Sequence, residues 1–156
     1  MTQGEEMVEV VSGFPVHMGY AYDLANHFWV AASIDRSIRV GMDALGLETS
    51  GTLAQLAFDA IGTVIERGAP FGTLEAEKFV GPLVAPVSGH IVVVNDAAMA
   101  DPAMLQADPY GEGWMIQMEP SDLDNDRALL ITGRAQIISS FEEKIRYYRL
   151  EGVLAE

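Results

Sequence analysis

The stretch from Gly68 to Asn95 constrains this chain most, because short apolar runs alternate there with turn residues. Phe71-Gly-Thr-Leu-Glu-Ala-Glu is followed by Gly81-Pro82, then Leu83-Val-Ala-Pro, Ser88-Gly89 and His90-Ile-Val-Val-Val. Short strands broken by turns at such spacing predict an all-β sandwich or barrel. The pattern recurs on both sides. Phe28, Val30, Ala32 and Ile34 alternate, Asp35-Arg36-Ser37 supplies a turn, and Ile38 and Val40 resume the period of two, which reads as a hairpin over 27–40. Leu53 to Phe58 and Ile61 to Ile65 are further short runs, and Trp114 to Glu119 is a strand that Pro120 ends.

Helical signals are confined to the second half. Asp101-Pro102 has the cap-then-proline form of a short helix through Gln106. Ser121 is a candidate cap for a helix over Asp122 to Leu130, with acids in its first turn. Arg134 to Leu150 places Ile137, Phe141, Ile145 and Tyr148 at helical spacing, with Lys144, Arg146 and Arg149 toward the C-terminal end. That amphipathic helix packs on the β domain or docks a partner. The first 25 residues give no firm element.

At 156 residues, 49% hydrophobic and 21% charged, the chain reads as one globular domain over 1–156. A core of that size needs no covalent staple. Nine Lys and Arg against 23 Asp and Glu give a net charge of −14, which excludes nucleic acid and anionic membranes as natural partners. The same charge suits a basic protein partner or adaptation to salt. There is no cysteine, so disulfides, thiolate catalysis and iron–sulfur clusters are excluded for the bare polypeptide. Any redox chemistry must come from an attached group. The acidic N-terminus lacks signal-peptide form, and no apolar run approaches the ~18 residues of a membrane span, so the expectation is a cytoplasmic protein.

Ordinary catalytic patterns are missing from the sequence. His17, His27 and His90 are scattered, none with a second ligand at metal-site spacing. Asp122, Asp124 and Asp126 alternate as in a calcium loop, yet Arg127 and Gly133 stand where that loop needs glycine and glutamate. A capped, solvated helix start accounts better for these acids. No phosphate-binding glycine motif and no nucleophile-elbow serine occurs.

Lys78 is different. It is one of only two lysines, the other being Lys144, and it sits in Glu75-Ala-Glu-Lys-Phe-Val-Gly-Pro82. Gly68 lies ten residues before it and Gly89 eleven after, which puts the lysine at the tip of a hairpin. Flanking acids keep its ammonium charged and solvated. An outward lysine on a rigid turn suits a covalent carrier arm, whose tip must enter an enzyme cleft while the body stays outside. An ordinary exposed turn lysine fits the spacing as well.

At these residues the sequence resembles the lipoyl-carrier domains, and specifically the glycine cleavage H protein family. The resemblance rests on Leu74-Glu-Ala-Glu-Lys78, Val84-Ala-Pro-Val-Ser-Gly89, His90-Ile-Val-Val-Val-Asn95, Asp101-Pro102 and Asp108-Pro-Tyr-Gly-Glu-Gly-Trp114, in family order. His27-Phe-Trp29-Val30 resembles the family's His-Glu-Trp-Val, and the likeness spans residues 20 to 131. Biotinyl carriers place methionines beside the lysine; here the neighbours are Glu77 and Phe79. The resemblance implies a flattened β sandwich (a barrel-sandwich hybrid) with short peripheral helices and a C-terminal helix over 134–150. It implies a non-catalytic carrier with lipoic acid attached covalently to Lys78. Thiol–disulfide exchange on that group would supply the couple that a cysteine-free chain lacks.

The departures bear on clients. Where the family has Ser-Val-Lys-Ala-Ala, this chain has Ala76-Glu-Lys-Phe-Val80, and Gly81-Pro82 stiffens the adjoining segment. The stretch Gly41 to Gly51 also differs from the family pattern, and residues 134–156 extend past the family's usual end. Glu75, Glu77, Phe79 and Gly81 are therefore expected to be read by a lipoate ligase, by lipoyl-assembly enzymes or by partner clefts. These changes resemble the H-protein-like lipoate-binding proteins of heterodisulfide-reductase-like sulfur oxidation. The first expectation is an arm shuttling sulfur-containing intermediates to that complex, with dihydrolipoamide dehydrogenase as a further partner. The alternatives are a glycine-cleavage carrier of the aminomethyl group and a non-lipoylated binding module.

Overall fold

A computed structural model of the chain describes residues 7–155. In chain order its strands are β1 (Val8–Val11), β2 (Phe14–His17), β3 (Ala21–Asp23), β4 (Phe28–Ala32), β5 (Ile38–Met42), β6 (Leu53–Phe58), β7 (Val64–Ile65), β8 (Pro70–Ala76), β9 (Val80–Val84), β10 (Gly89–Val94) and β11 (Trp114–Pro120). The helices are α1 (Ala44–Ser50), α2 (Asp96–Ala100), α3 (Ala103–Ala107), α4 (Leu123–Arg127) and α5 (Arg134–Leu150). A six-stranded sheet runs β3-β4-β5-β11-β10-β7, a three-stranded sheet runs β6-β8-β9, and β1-β2 is a separate hairpin. Every pairing is antiparallel, so the mainly-β sandwich expected from the strand spacing is the architecture found.

The main core lies between the two larger sheets. Leu56, Leu74 and Leu83 of the three-stranded sheet join Val30, Ile38, Val40, Ile116 and Met118 of the six-stranded one. Phe28 meets Phe71 edge-on, with ring centroids 5.7 Å apart. Strand β4 is buried on both faces: Phe28 and Val30 enter this core, while Trp29, one residue out of phase, enters a second core. That is the period-two geometry of a strand with packing on either side. The alternation expected through Ile34 stops earlier, because Ile34 lies in a 3₁₀ turn and is 73% exposed.

The second core joins β1, β2 and α5 to the outer face of the large sheet. Ile137, Phe141 and Ile145 are fully buried there, and Phe141 stands edge-on to Tyr22 at 5.1 Å. The C-terminal helix therefore packs on the β domain, over the expected span. The guanidinium of Arg134 donates twice to the Glu9 carboxylate at 2.8 Å, tying its start to β1.

Three local readings are corrected. Residues 7–25, where the sequence gives no firm element, hold β1, β2 and β3, and residues 1–6 lie outside the described residues. Ser121 does not cap α4, whose cap position is Asp122, with no side-chain cap bond. Nor are all the acids of that segment solvated: Asp126 is buried and accepts from the Ser88 amide at 2.8 Å, with Arg67 3.8 Å away. Asp126 thus anchors the turn leading into β10.

Candidate functional site

The β8–β9 hairpin presents the lysine. Glu75 pairs with Val80, and the Ala76 amide donates to the Phe79 carbonyl at 2.8 Å, leaving Glu77 and Lys78 as the turn residues. Lys78 is exposed, and among the described residues its ammonium enters no ion pair.

The turn is held from outside the hairpin. The Lys78 amide donates to the Ser50 carbonyl at 2.8 Å, and the Glu77 amide donates to the Thr52 carbonyl at 2.9 Å. Both acceptors flank Gly51, the residue that ends α1. Helix α1 starts because Asp43 caps it, its carboxylate accepting from the Gly46 amide at 2.8 Å. It stops at Gly51, where φ is +76° and ψ is −159°, a backbone region that is nearly glycine-only. Gln106 Nε2 donates to the Gly51 carbonyl at 3.0 Å, which braces the same point from α3. The turn's main chain is thus fixed at the end of α1, which α3 braces, while the Lys78 side chain stays exposed.

The neighbours expected to be read by partners fall into two groups. Glu75 projects to solvent from β8, and Phe79 lies 42% exposed beside Lys78. Glu77 and Gly81 have intramolecular tasks. A Glu77 carboxylate oxygen lies 3.4 Å from the Thr52 amide. A Cβ on Gly81 would sit 3.1 Å from the Phe79 ring, so glycine leaves room for that ring.

Behind the turn lies a cleft of about 390 Å³. Lys78, Phe79, Pro82 and Leu83 form one wall, and Asn26, His27, Gly46 and Thr49 line the rest. His27 Nδ1 is 3.3 Å from Asp43 Oδ2, and its Nε2 is 2.6 Å from the Tyr148 hydroxyl. Burial, with Asp43 nearby, raises the Tyr148 phenol above the usual tyrosine range. In the sequence His27 stands only as a motif residue and an isolated histidine, and Asp43, Ser50, Gly51 and Tyr148 carry no sign of being its neighbours or those of Lys78. Asp43-Ala-Leu-Gly was a legible cap signal. The others became visible only through tertiary packing.

The remaining candidates lie elsewhere. Lys144 is in the middle of α5, its ammonium 5.2 Å from the centre of the Tyr148 ring. His90 faces Glu119 at 3.7 Å, and His17 stacks on Tyr20 at 3.6 Å. Among the described residues no group of three His, Asp or Glu side chains converges as a metal-binding set, and no helix is long and apolar enough to cross a membrane.

Residues 21–142 match the family model for glycine cleavage H-protein, which is well over half of the chain. The chain belongs to this family. It is similar to glycine cleavage system H protein 2 of Aquifex aeolicus, with 30% identity over 85% of this chain and 82% of that one. It is also similar to the probable glycine cleavage system H protein 2 of Sulfolobus acidocaldarius, with 33% identity over 92% and 95%. A crystal structure of a glycine cleavage system H protein from Mycobacterium marinum superposes with a TM-score of 0.63 and 36% identity, over 68% of this chain and 87% of that one. H proteins of this family are non-catalytic carriers with lipoic acid attached covalently to a lysine.

Proposed function

We propose that Lys78 is the lipoylated residue and that the chain is a single cytoplasmic carrier domain, with its core at about residues 20–131 and α5 packed on it. In this reading the arm carries an aminomethyl group between glycine decarboxylase and the aminomethyl transferase. One arrangement supports carriage by Lys78: an exposed lysine on a two-residue turn, the Lys78 amide held by Ser50 and the Glu77 amide by Thr52, beside a cleft that can receive what the lysine bears. The residues present fit the group. The side chain is free to be acylated, and Phe79 and Pro82 give an apolar arm a surface to lie against. When bound, lipoamide supplies a dithiol–disulfide couple. The protein's own part is to present the arm, to fix its base and to shelter its far end.

A second reading, carriage of sulfur-containing intermediates for a heterodisulfide-reductase-like complex, rests on Glu77 and Phe79 beside the lysine. Phe79 places an aromatic ring at the cleft wall next to the arm's base, and bulk of that kind can exclude the wrong partner. The test is loading of the lipoylated protein from glycine by glycine decarboxylase. Loading at a rate near that of an authentic H protein supports the aminomethyl reading. A rate at least an order of magnitude lower, restored by Glu77→Val with Phe79→Ala, favours the sulfur reading.

A further inference from the structure

Helix α1 holds the Lys78 turn, yet its seven residues are too few to form a stable helix by themselves. One neighbouring segment grips it at both ends. At the start, the Ala44 amide, which has no partner within the helix, donates to the Tyr110 hydroxyl at 3.1 Å. That hydroxyl donates in turn to the Pro15 carbonyl of β2 at 2.7 Å, and the Tyr110 ring is buried. At the far end, Gln106 Nε2 donates to the Gly51 carbonyl at 3.0 Å, and the carbonyls on either side of it bind the Lys78 and Glu77 amides. The gripping segment is itself fastened. Trp29 Nε1 of β4 donates to the Pro109 carbonyl at 2.9 Å, and the Tyr20 hydroxyl donates to the Tyr110 carbonyl at 2.7 Å.

We propose that Tyr110 and Gln106 are positioning residues for lipoylation of Lys78: they bracket α1 into a strut, and the strut sets the lysine turn in the pose that a lipoate ligase takes. The inference rests on Lys78 being the modified lysine. The Ser50 and Thr52 carbonyls receive the turn's amides only while the end of α1 keeps its place. Gln106 acts at that end. Tyr110 acts at the opposite end, so its effect reaches Lys78 through the helix. When neither end is held, only the fraction of molecules with the turn in place is competent to bind the ligase. The apparent affinity then falls by that fraction, while the step inside the complex is unchanged.

The test uses the full-length, unmodified chain as wild type, Tyr110→Phe, Gln106→Ala and the double variant. Gln106 is exposed, so Gln106→Ala keeps its fold whatever Tyr110→Phe does to the buried ring. Amide hydrogen exchange is read by NMR at Lys78 and Glu77, with the amides of β5, an interior strand of the large sheet, reporting global unfolding. Each single variant is expected to speed exchange at Lys78 and Glu77 on the order of ten-fold beyond any change in β5, the size of one lost hydrogen bond. Lipoylation by a purified lipoate ligase is then followed by intact mass. The double variant is expected to show a KM for the carrier raised several-fold with kcat unchanged. Exchange at Lys78 and Glu77 that moves only in step with β5 would overturn the proposal, as would a double variant with wild-type KM or with a loss confined to kcat. Absence of lipoyl on Lys78 of the wild type would instead defeat the underlying reading, which the exchange measurement does not depend on.

Discussion

The amide of Lys78 donates to the carbonyl of Ser50 at 2.8 Å, so the proposed modification site is anchored to the end of a helix 28 residues earlier in the chain. A carrier lysine needs a free side chain, yet its backbone must stay in place when a ligase or a partner engages the tip. The α1 end supplies that anchor without touching the ammonium.

Because the ammonium is exposed and unpaired among the described residues, Lys78→Arg should leave the fold intact. Its unfolding free energy is expected within about 0.5 kcal/mol of wild type, measured by denaturant titration. A larger loss would make this lysine a structural residue.

Gly51→Ala addresses the anchor. At φ +76° and ψ −159° an alanine is strained, and its Cβ would lie 2.6 Å from a Glu77 carboxylate oxygen. The expected cost is about 1–3 kcal/mol, accompanied by slower lipoylation as the turn shifts. Unchanged stability with an unchanged rate of modification would show that the anchor does not set the tip.

The hairpin, its lysine and the C-terminal helix were legible because each is written locally. Alternating residues and turn glycines mark β8, β9 and β10, and Ile137, Phe141 and Ile145 mark the buried face of α5. Strands β1 to β3 are not legible, since at three or four residues each they are too short for alternation to show, and β1 finds its partner in β2 and β3 in β4 only in the fold. Helix α1 was missed for a related reason: at seven residues it offers little periodicity, and only its Asp43 cap signals it. The Asp43–His27–Tyr148 set joins residues 121 positions apart and has no sequence signature.

Phe141→Ala should destabilise the protein by about 3–5 kcal/mol, because the ring is fully buried against Tyr22. Thermal or denaturant unfolding gives the number. A cost under about 1 kcal/mol would mean that α5 is peripheral to the second core.

Two groups predict how stability changes with pH. Burial holds the His17 imidazole below the usual histidine value, and its Nδ1 accepts from the Gly19 amide. Below about pH 6.5 the unfolded chain takes a proton that the folded one refuses, so stability falls with pH until the folded histidine protonates. Glu9 is held below the usual glutamate range by its hydrogen bonds from Arg134. Its contribution is present above the unfolded glutamate value and is lost as pH drops through the folded one. In melting curves across pH, His17→Gln should flatten the first decline and Glu9→Gln the later one. Profiles parallel to wild type would contradict both assignments.

The central claim is that Lys78 carries the lipoyl group, and peptide mass spectrometry after coexpression with a competent lipoate ligase tests it most directly. The account predicts one lipoyl increment on the Lys78 peptide, none on Lys144, and none on the Lys78→Arg protein. Modification that survives in Lys78→Arg, or that falls on Lys144 in the wild type, would contradict it.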